Sequence, residues 1–330
     1  MPEPTLDVAI VGGGPAGLAT AIECGKRGLS HVVVEKGSLT DSLRRFPVNM
    51  VFFTTPDLLE IGELPLTSLG EKPTRIEALK YYRRVAQRYD IPLRLYERVR
   101  EVRRVNGCFE LRTSFERLRP GEPELVRARS MVVATGYYDH PNRLGVPGED
   151  SPKASHYYTE SHPYFGLRVA VVGGANSAAE CALDLYRSGA SVSLIHRGRE
   201  LSTHIKYWVR PDILNRIERG EVKAYLETEV VEILPDSIDL LKRNGERFSI
   251  PNDAVLVLTG YHADYGFLSS LGIAVDGRTG KPAVDPETCE TNVPGVYLAG
   301  GIVGGRETNN IFIENGRFHG KKIVDHLVRS

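Results

Sequence analysis

The chain has 330 residues, 41% of them hydrophobic and 25% charged, with 42 basic side chains balanced by 42 acidic ones. Zero formal net charge leaves no field to steer the chain onto nucleic acid or an anionic membrane, and its apolar runs are of strand length, well short of the roughly 20 residues a spanning helix needs. The opening Met1-Pro2-Glu3-Pro4-Thr5 lacks the basic and apolar regions of a secretory signal, so a cytoplasmic protein is expected. The length suits two domains.

Residues 8–11, Val-Ala-Ile-Val, read as a buried strand that runs directly into Gly12-x-Gly14-x-x-Gly17. An Ala-rich helical stretch follows over 18–27, then a second apolar strand, Val32-Val33-Val34, ending on Glu35. This is the dinucleotide-binding βαβ pattern. Gly12 permits the tight turn, Gly14 keeps a Cβ away from the pyrophosphate, and Gly17 lets helix and strand pack closely. The helix start, Pro15-Ala16-Gly17, presents free N–H groups and a positive dipole end to phosphate. Glu35 lies 35 − 12 = 23 positions past the first glycine, where a carboxylate accepts from ribose hydroxyls and repels a 2′-phosphate. The first turn therefore suits FAD or NAD rather than NADP.

Residues 36–42 form a loop with turn chemistry, and Arg44-Arg45-Phe46-Pro47 and Phe52-Phe53-Thr54-Thr55-Pro56 follow. Their proline and aromatic content fits a rigid segment wrapping the middle of a flavin cofactor, or else an ordinary surface loop. The spacing of Ala78, Leu79, Tyr82, Val85 and Ala86 predicts a helix over 75–89, and strands are expected over 93–105 and 109–113. Residues 130–133 form a further strand ending in the small-residue turn Ala134-Thr135-Gly136, which lets the chain pass close to a bound cofactor. Pro141, Gly145, Pro147 and Gly148 then punctuate a connector, placing a domain boundary there.

A second unit repeats the first. A strand over 168–172 leads into Gly173-Gly174-Ala175-Asn176-Ser177-Ala178, a helix is expected over 179–187, Gly189 stops it, and a strand over 191–195 ends in His196-Arg197-Gly198-Arg199. The acidic residue of the first unit has become basic here, and Arg197 and Arg199 are placed to grip the 2′-phosphate that separates NADPH from NADH. The second and third glycine positions have become Ala175 and Ala178. A strand over 255–259 ends in Gly260-Tyr261 and closes the second domain. The chain then returns to the first domain through 291–300, and a final helix is expected from Asn309 to Leu327, its start facing the flavin pyrimidine. Cys24, Cys108, Cys181 and Cys289 contain no C-x-x-C, which excludes a local redox dithiol and a cysteine-rich zinc site, and no metal is expected.

The fold class that results is α/β, with two Rossmann-like three-layer dinucleotide-binding domains. The FAD-binding domain spans 1–145 and 264–330, and an NADPH-binding domain spanning 146–263 is inserted in it. Several stretches carry a finer resemblance: Glu35-Lys36-Gly37, Phe52-Phe53, Leu59-Glu60-Ile61-Gly62, Ala134-Thr135-Gly136-Tyr137-Tyr138, His162-Pro163-Tyr164-Phe165, Ile205-Lys206-x-Trp208, Gly260-Tyr261-His262 and Ile311-Phe312-Ile313-Glu314-Asn315-Gly316-x-Phe318-His319-Gly320. Together with Val293 to Gly300, they resemble the thioredoxin-reductase-like flavoproteins, and among these the bacillithiol disulfide reductase family, over nearly the whole chain.

The resemblance implies an FAD enzyme that takes hydride from NADPH and reduces the disulfide of a low-molecular-weight thiol, and it implies a homo-oligomer. It adds Lys36, Ser42, Asn49, Val99, Gly300, Gly301, Ile311 and Phe312 to the FAD residues, and Lys206, Gly260 and Tyr261 to the NADPH residues. Ala16 replaces the family's flavin-adjacent cysteine, and Gly301 replaces the acidic residue that often follows the last Ala-Gly. His156, Tyr157 and His162, with Tyr158, Tyr164 and Phe165 nearby, are candidates to protonate a leaving thiolate. Three other readings keep the same cofactor sites: a flavin-dependent monooxygenase, a ferredoxin- or quinone-type NADPH reductase, and a redox-sensing module with structural FAD.

Overall fold

The computed structural model describes residues 4–116 and 124–329. Two compact units account for the chain: Met1–Arg45, Asn49–His140 and Tyr261–Ser330 form the first, and Phe46–Val48 with Pro141–Gly260 the second. Apart from the three residues Phe46–Val48, the chain crosses between them at 140/141 and 260/261, against the expected 145/146 and 263/264.

The first unit is built on a seven-stranded sheet. Leu6–Val11 lies between His31–Glu35 and Leu125–Val133, parallel to both, and Val11 is opposite Val34 on one side and Val133 on the other. Leu93–Leu95 extends the parallel part beyond His31–Glu35, and Val296–Leu298 pairs with Leu125–Val133. Residues 8–11, 32–34 and 131–133, buried on both faces, are continuous apolar runs rather than alternating patterns. Cys108–Phe115 and Glu97–Val105 continue the sheet as an antiparallel hairpin.

The strand expected over 93–105 is two strands. Tyr96 takes a left-handed φ of 59° between them, redirecting the chain from parallel pairing with His31–Glu35 to antiparallel pairing with Cys108–Phe115. The helix Arg75–Arg88 starts on a capping box in which Thr74 and Glu77 each satisfy the other's amide. Its buried face sends the hydroxyls of Tyr81 and Tyr82 to the carbonyls of Leu64 and Leu59, at 2.8 and 2.9 Å, which pins the preceding loop.

The expected final helix is also divided. Ile313–Gly316 and His319–Leu327 are separate, and Arg317 between them turns its guanidinium to the carbonyls of Asp57 and Glu60. The helix start expected at Asn309 is therefore one short turn beginning at Ile313.

The second unit has a five-stranded parallel sheet in the order Lys223–Tyr225, Ser191–Ile195, Arg168–Val172, Ala254–Val257, Ala154–Ser155. Alternate residues of its central strand serve different layers, as strand geometry requires. Val169 and Val171 pack with Ala178, Ala182 and Leu185 of the helix Asn176–Arg187. Ala170 and Val172 pack with Ile233, Ile238 and Ile250 of an antiparallel meander, Thr228–Ile233, Ser237–Lys242 and Arg247–Pro251. Among the described residues no helix is long and apolar enough to cross a membrane, and no cluster of His, Cys, Asp and Glu is placed to hold a metal.

Candidate functional site: two glycine turns

In the first unit the turn after Leu6–Val11 is governed by backbone proximity. Gly12 has a φ of +114°, and a Cβ there would fall 2.5 Å from the carbonyl oxygen of Ala134. A Cβ on Gly17 would fall 2.0 Å from the carbonyl oxygen of Gly12. These two glycines are required by the protein itself. Gly14 is different: a Cβ there would meet nothing within 4 Å, so the space in front of it is left for something other than this chain. Gly14 also caps the helix Pro15–Lys26 without any side-chain bond, which leaves the first amide N–H groups directed outward. The buried hydroxyl of Thr135 has no partner among the described residues. An open cradle, uncapped amides and an orphaned hydroxyl together fit a dinucleotide.

Glu35 is buried and already partnered. Its two carboxylate oxygens accept the N–H groups of Gly13 and Gly37, each at 2.7 Å. Burial pushes its carboxyl above the ordinary value, and the two amides oppose that. Each oxygen keeps a lone pair for a ribose hydroxyl. Lys36 points to Asp139 at 2.5 Å, and Arg45 shares the same carboxylate. Burial works against ionisation of Asp139, but Lys36 and Arg45 hold it below the usual carboxylate range. This cluster was not anticipated from the sequence; the signal is an acid just after the Ala134-Thr135-Gly136 turn matched by a base just after Glu35.

The remaining first-unit candidates are spread around this turn. Ala16 packs on Gly300, where a Cβ would fall 2.7 Å from that of Ala16. Gly300 has a φ of +79° and donates its N–H to Nδ1 of His319 at 3.0 Å. A Cβ on Gly301 would press on the ring of Tyr137, and one on Gly316 would sit 3.3 Å from the side chain of Ile311. Phe312 meets Phe53 edge to face at 5.2 Å. Ser42 lies half-buried in the helical turn Asp41–Arg44, Asn49 is exposed, and Val99 sits at a bulge opposite Thr113. Ala134 and Gly136 flank Thr135 on the turn itself. Tyr261, expected at the NADPH site, belongs to the first unit, with its ring 4.6 Å from that of Tyr138.

In the second unit Gly173 has a φ of +151°, and a Cβ would fall 2.5 Å from the carbonyl oxygen of Leu258. A Cβ on Gly174 would meet the ring of His196 at 2.3 Å, so an imidazole covers this face of the turn. Ala175 caps the helix Asn176–Arg187 with no side-chain bond. That helix begins earlier than the expected 179, so Asn176 and Ser177 form its first turn. Asn176 fastens a following loop: it accepts from the N–H of Lys206 at 2.9 Å and donates to the carbonyl of His204 at 3.2 Å. Lys206 in turn pairs with Glu180 at 2.6 Å. Arg197 is exposed with no ion pair among the described residues, whereas Arg199 pairs with Glu227 at 3.2 Å. Burial, and then Arg197, push the His196 imidazole below its ordinary value. Gly260 has a φ of +91° and accepts the N–H of Asn142. An uncapped helix start beside an unpaired cation fits a phosphorylated dinucleotide.

Of the proton-donor candidates, His162 is exposed in the short turn His162–Tyr164, and Tyr157 has its backbone tied to the Ser155 hydroxyl. Tyr158 is buried and bonds to Asp184 on the helix, and burial with that carboxylate pushes its hydroxyl far up. Tyr164 packs on the core and Phe165 is exposed. His156 lies 3.3 Å from the buried Glu149, and burial pushes its imidazole down. The structure does not gather these side chains into one cluster.

Two such turns on two Rossmann-like units, one inserted in the other, define an FAD- and NADPH-dependent oxidoreductase of the two-dinucleotide-domain class. The pyridine nucleotide-disulphide oxidoreductase family model matches residues 9–300. The chain is 41% identical over 321 residues to bacilliredoxin reductase from Bacillus subtilis strain 168, covering 97% of each. It superposes on the bacillithiol disulfide reductase from Bacillus cereus with a TM-score of 0.96 at 39% identity, covering 99% of this chain and 100% of that one. For the Staphylococcus aureus enzyme of the same name the TM-score is 0.93 at 36% identity, with 99% of both chains covered. The chain belongs to the pyridine nucleotide-disulphide oxidoreductases and, within them, to the bacillithiol disulfide reductase family.

Proposed function

We propose that this chain binds FAD at the Gly12 turn and NADPH at the Gly173 turn, and uses them to reduce a bacillithiol-type disulfide. The net exchange is NADPH + H⁺ + RSSR giving NADP⁺ + 2 RSH. The observation that carries this reading is identity of 41% across 97% of the chain with a bacilliredoxin reductase. Bound FAD supplies the redox chemistry, accepting hydride and passing on an electron pair. The protein's part is placement. The amides after Gly14 take the pyrophosphate, and Glu35 takes the ribose. Arg197 takes the 2′-phosphate, and its positive charge selects NADPH over NADH.

No protein thiol is expected to relay electrons. All four cysteines are free; Cys24, Cys181 and Cys289 are buried. Burial pushes the Cys24 thiol up to about 12 and that of Cys289 up to about 11, and raises that of Cys181 well above its ordinary value, so none of these three is a thiolate at neutral pH. Ala16 puts a methyl group where the family's cysteine would stand. We place the enzyme in the cytoplasm as a homo-oligomer, which size-exclusion chromatography with light scattering tests directly.

The functional test is anaerobic stopped-flow absorbance of the holoenzyme. NADPH is expected to bleach the flavin band, and bacillithiol disulfide to restore it. Bleaching that recovers only with a quinone, ferredoxin or oxygen overturns the disulfide reading and leaves the two cofactor sites in place.

A further inference from the structure

In an open parallel sheet a dinucleotide lies beyond the carboxyl ends of the strands and straddles the point where strand order reverses, one half on each side. In the first unit that point is at Leu6–Val11, with His31–Glu35 on one side and Leu125–Val133 on the other. Glu35 ends the strand on the first side, so the adenosine ribose belongs there. The other half of FAD then falls beyond the ends of Leu125–Val133 and its neighbour Val296–Leu298. Those two ends continue as Ala134-Thr135-Gly136-Tyr137 and Ala299-Gly300-Gly301.

The two segments meet at the ring of Tyr137. A Cβ on Gly301 would fall 2.7 Å from Cε1 and 2.9 Å from Cδ1 of that ring. Gly301 is outside the left-handed region, so its backbone does not call for glycine; the room it leaves is taken by the phenol ring. Its neighbour Gly300 makes room in the same way for Ala16, in the first turn of the helix Pro15–Lys26. A line of contacts therefore runs from the uncapped amides of that helix through Ala16, Gly300 and Gly301 to Tyr137.

Tyr137 is half-buried, and its hydroxyl has no hydrogen-bond partner among the described residues. Burial pushes the phenol above its ordinary value, with no neighbouring charge or hydrogen bond acting beside it. The hydroxyls of Tyr81, Tyr82 and Tyr158 behave differently: each bonds to a carbonyl or a carboxylate of the protein, as desolvated phenols usually do. Two positions before Tyr137, the buried hydroxyl of Thr135 is also without a partner. The end of one strand thus presents two hydroxyls that the protein itself leaves unsatisfied, on the side of the turn away from Glu35.

We propose that Tyr137 holds the ribityl chain of FAD, its phenol hydrogen-bonded to one of that chain's hydroxyls. With the adenosine ribose at Glu35 and the pyrophosphate at the helix start, the polyol is the next part of FAD along the line of contacts. A phenol offers one donor and an acceptor, which a polyol hydroxyl matches. The inference rests on the Gly12 turn as the FAD site and is independent of NADPH and of the disulfide acceptor.

The test dilutes the oxidised holoenzyme into flavin-free buffer and follows release of FAD by the rise in flavin fluorescence. Tyr137→Phe, which keeps the ring and removes the hydroxyl, is expected to release FAD about three- to tenfold faster, as for loss of one hydrogen bond. The protein is then reloaded with 2′-, 3′- or 4′-deoxyribityl FAD. One of these analogues is expected to leave the unaltered protein faster by a similar factor, and to leave the Phe variant no faster than FAD does. Gly301→Ala, which displaces the ring without touching the hydroxyl, is expected to speed release as well, and carries the comparison if the Phe variant does not load flavin. An unchanged rate in either variant, or effects of Tyr137→Phe and of every analogue that simply multiply, overturns the proposal. Failure of the unaltered protein to hold FAD overturns it together with the Gly12 site, an outcome distinct from failure of the disulfide to reoxidise the flavin.

Discussion

The two glycine turns follow one pattern but place different demands on the sequence. At the third glycine position the first unit has Gly17, whose missing Cβ would lie 2.0 Å from the Gly12 carbonyl oxygen, while the second has Ala178, whose methyl is accommodated. Helix and strand therefore approach more closely in the first unit. The same helix is pressed from outside, since a Cβ on Gly320 would fall 2.6 Å from the Cα of Thr20. The strand ends differ as well. Glu35 is buried and tied to two backbone amides, whereas Arg197 is exposed. The first site is part of the core it stands on; the second is a surface to which charge has been added. A turn of the first kind tolerates few substitutions because its backbone is already packed against the core.

The largest expected effect breaks this contrast directly. Gly17→Ala should destabilise the protein by about 3 kcal/mol or more, a drop of roughly 6–12 °C in melting temperature, and should empty it of FAD. The counterpart Ala178→Gly should cost only about 1 kcal/mol, through helix propensity. Calorimetric melts and the flavin content of the purified variants check both; equal losses would mean that the two helices pack alike. Next in size, Arg197→Ala should weaken NADPH about 10- to 100-fold and leave NADH unchanged, as for loss of a charge-assisted phosphate contact. Arg199→Ala should stay within about twofold, because its exposed pairing with Glu227 contributes little. Steady-state KM values for the two nucleotides separate these cases.

The smallest effect concerns His196, whose imidazole is depressed below its ordinary 6.5 by burial and then by Arg197. A depressed histidine contributes stability that is present above its unfolded value and is lost as pH falls through the folded one. Melting temperature should fall between pH 7.5 and 5.5, and His196→Gln should flatten that slope slightly. An unchanged slope would remove His196 from the account.

Much of this was legible in the chain because it is local. Both strand–turn–helix units and the acidic and basic strand ends depend on residues within about one βαβ unit. What escaped depends on partners far away in sequence. The final helix divides because Arg317 bonds to Asp57 and Glu60, over 250 positions earlier. The strand over 93–105 divides because Tyr96, a residue of high strand propensity, is turned left-handed, its N–H donating to the carbonyl of Gly37 and its carbonyl accepting from the N–H of Glu116. Asn176 reads as a phosphate-turn residue, and in the fold its amide fastens the loop to Lys206. A buried Glu149 is invisible in a sequence where Val146-Pro147-Gly148-Glu149 looks like a surface connector.

The thiols described above bear on how such an enzyme ages. Peroxide damages a cysteine by oxidising its thiolate stepwise to sulfenic, sulfinic and sulfonic acids, and the later steps are not reversed by ordinary reductants. Here three of the four thiols are buried and kept protonated, and the position beside Gly300 carries the methyl group of Ala16. A thiol-regenerating enzyme meets most oxidant when it is most needed. Among its thiols this one leaves that oxidant Cys108 alone, so its working life under stress is set more by its flavin and its fold than by its sulfur.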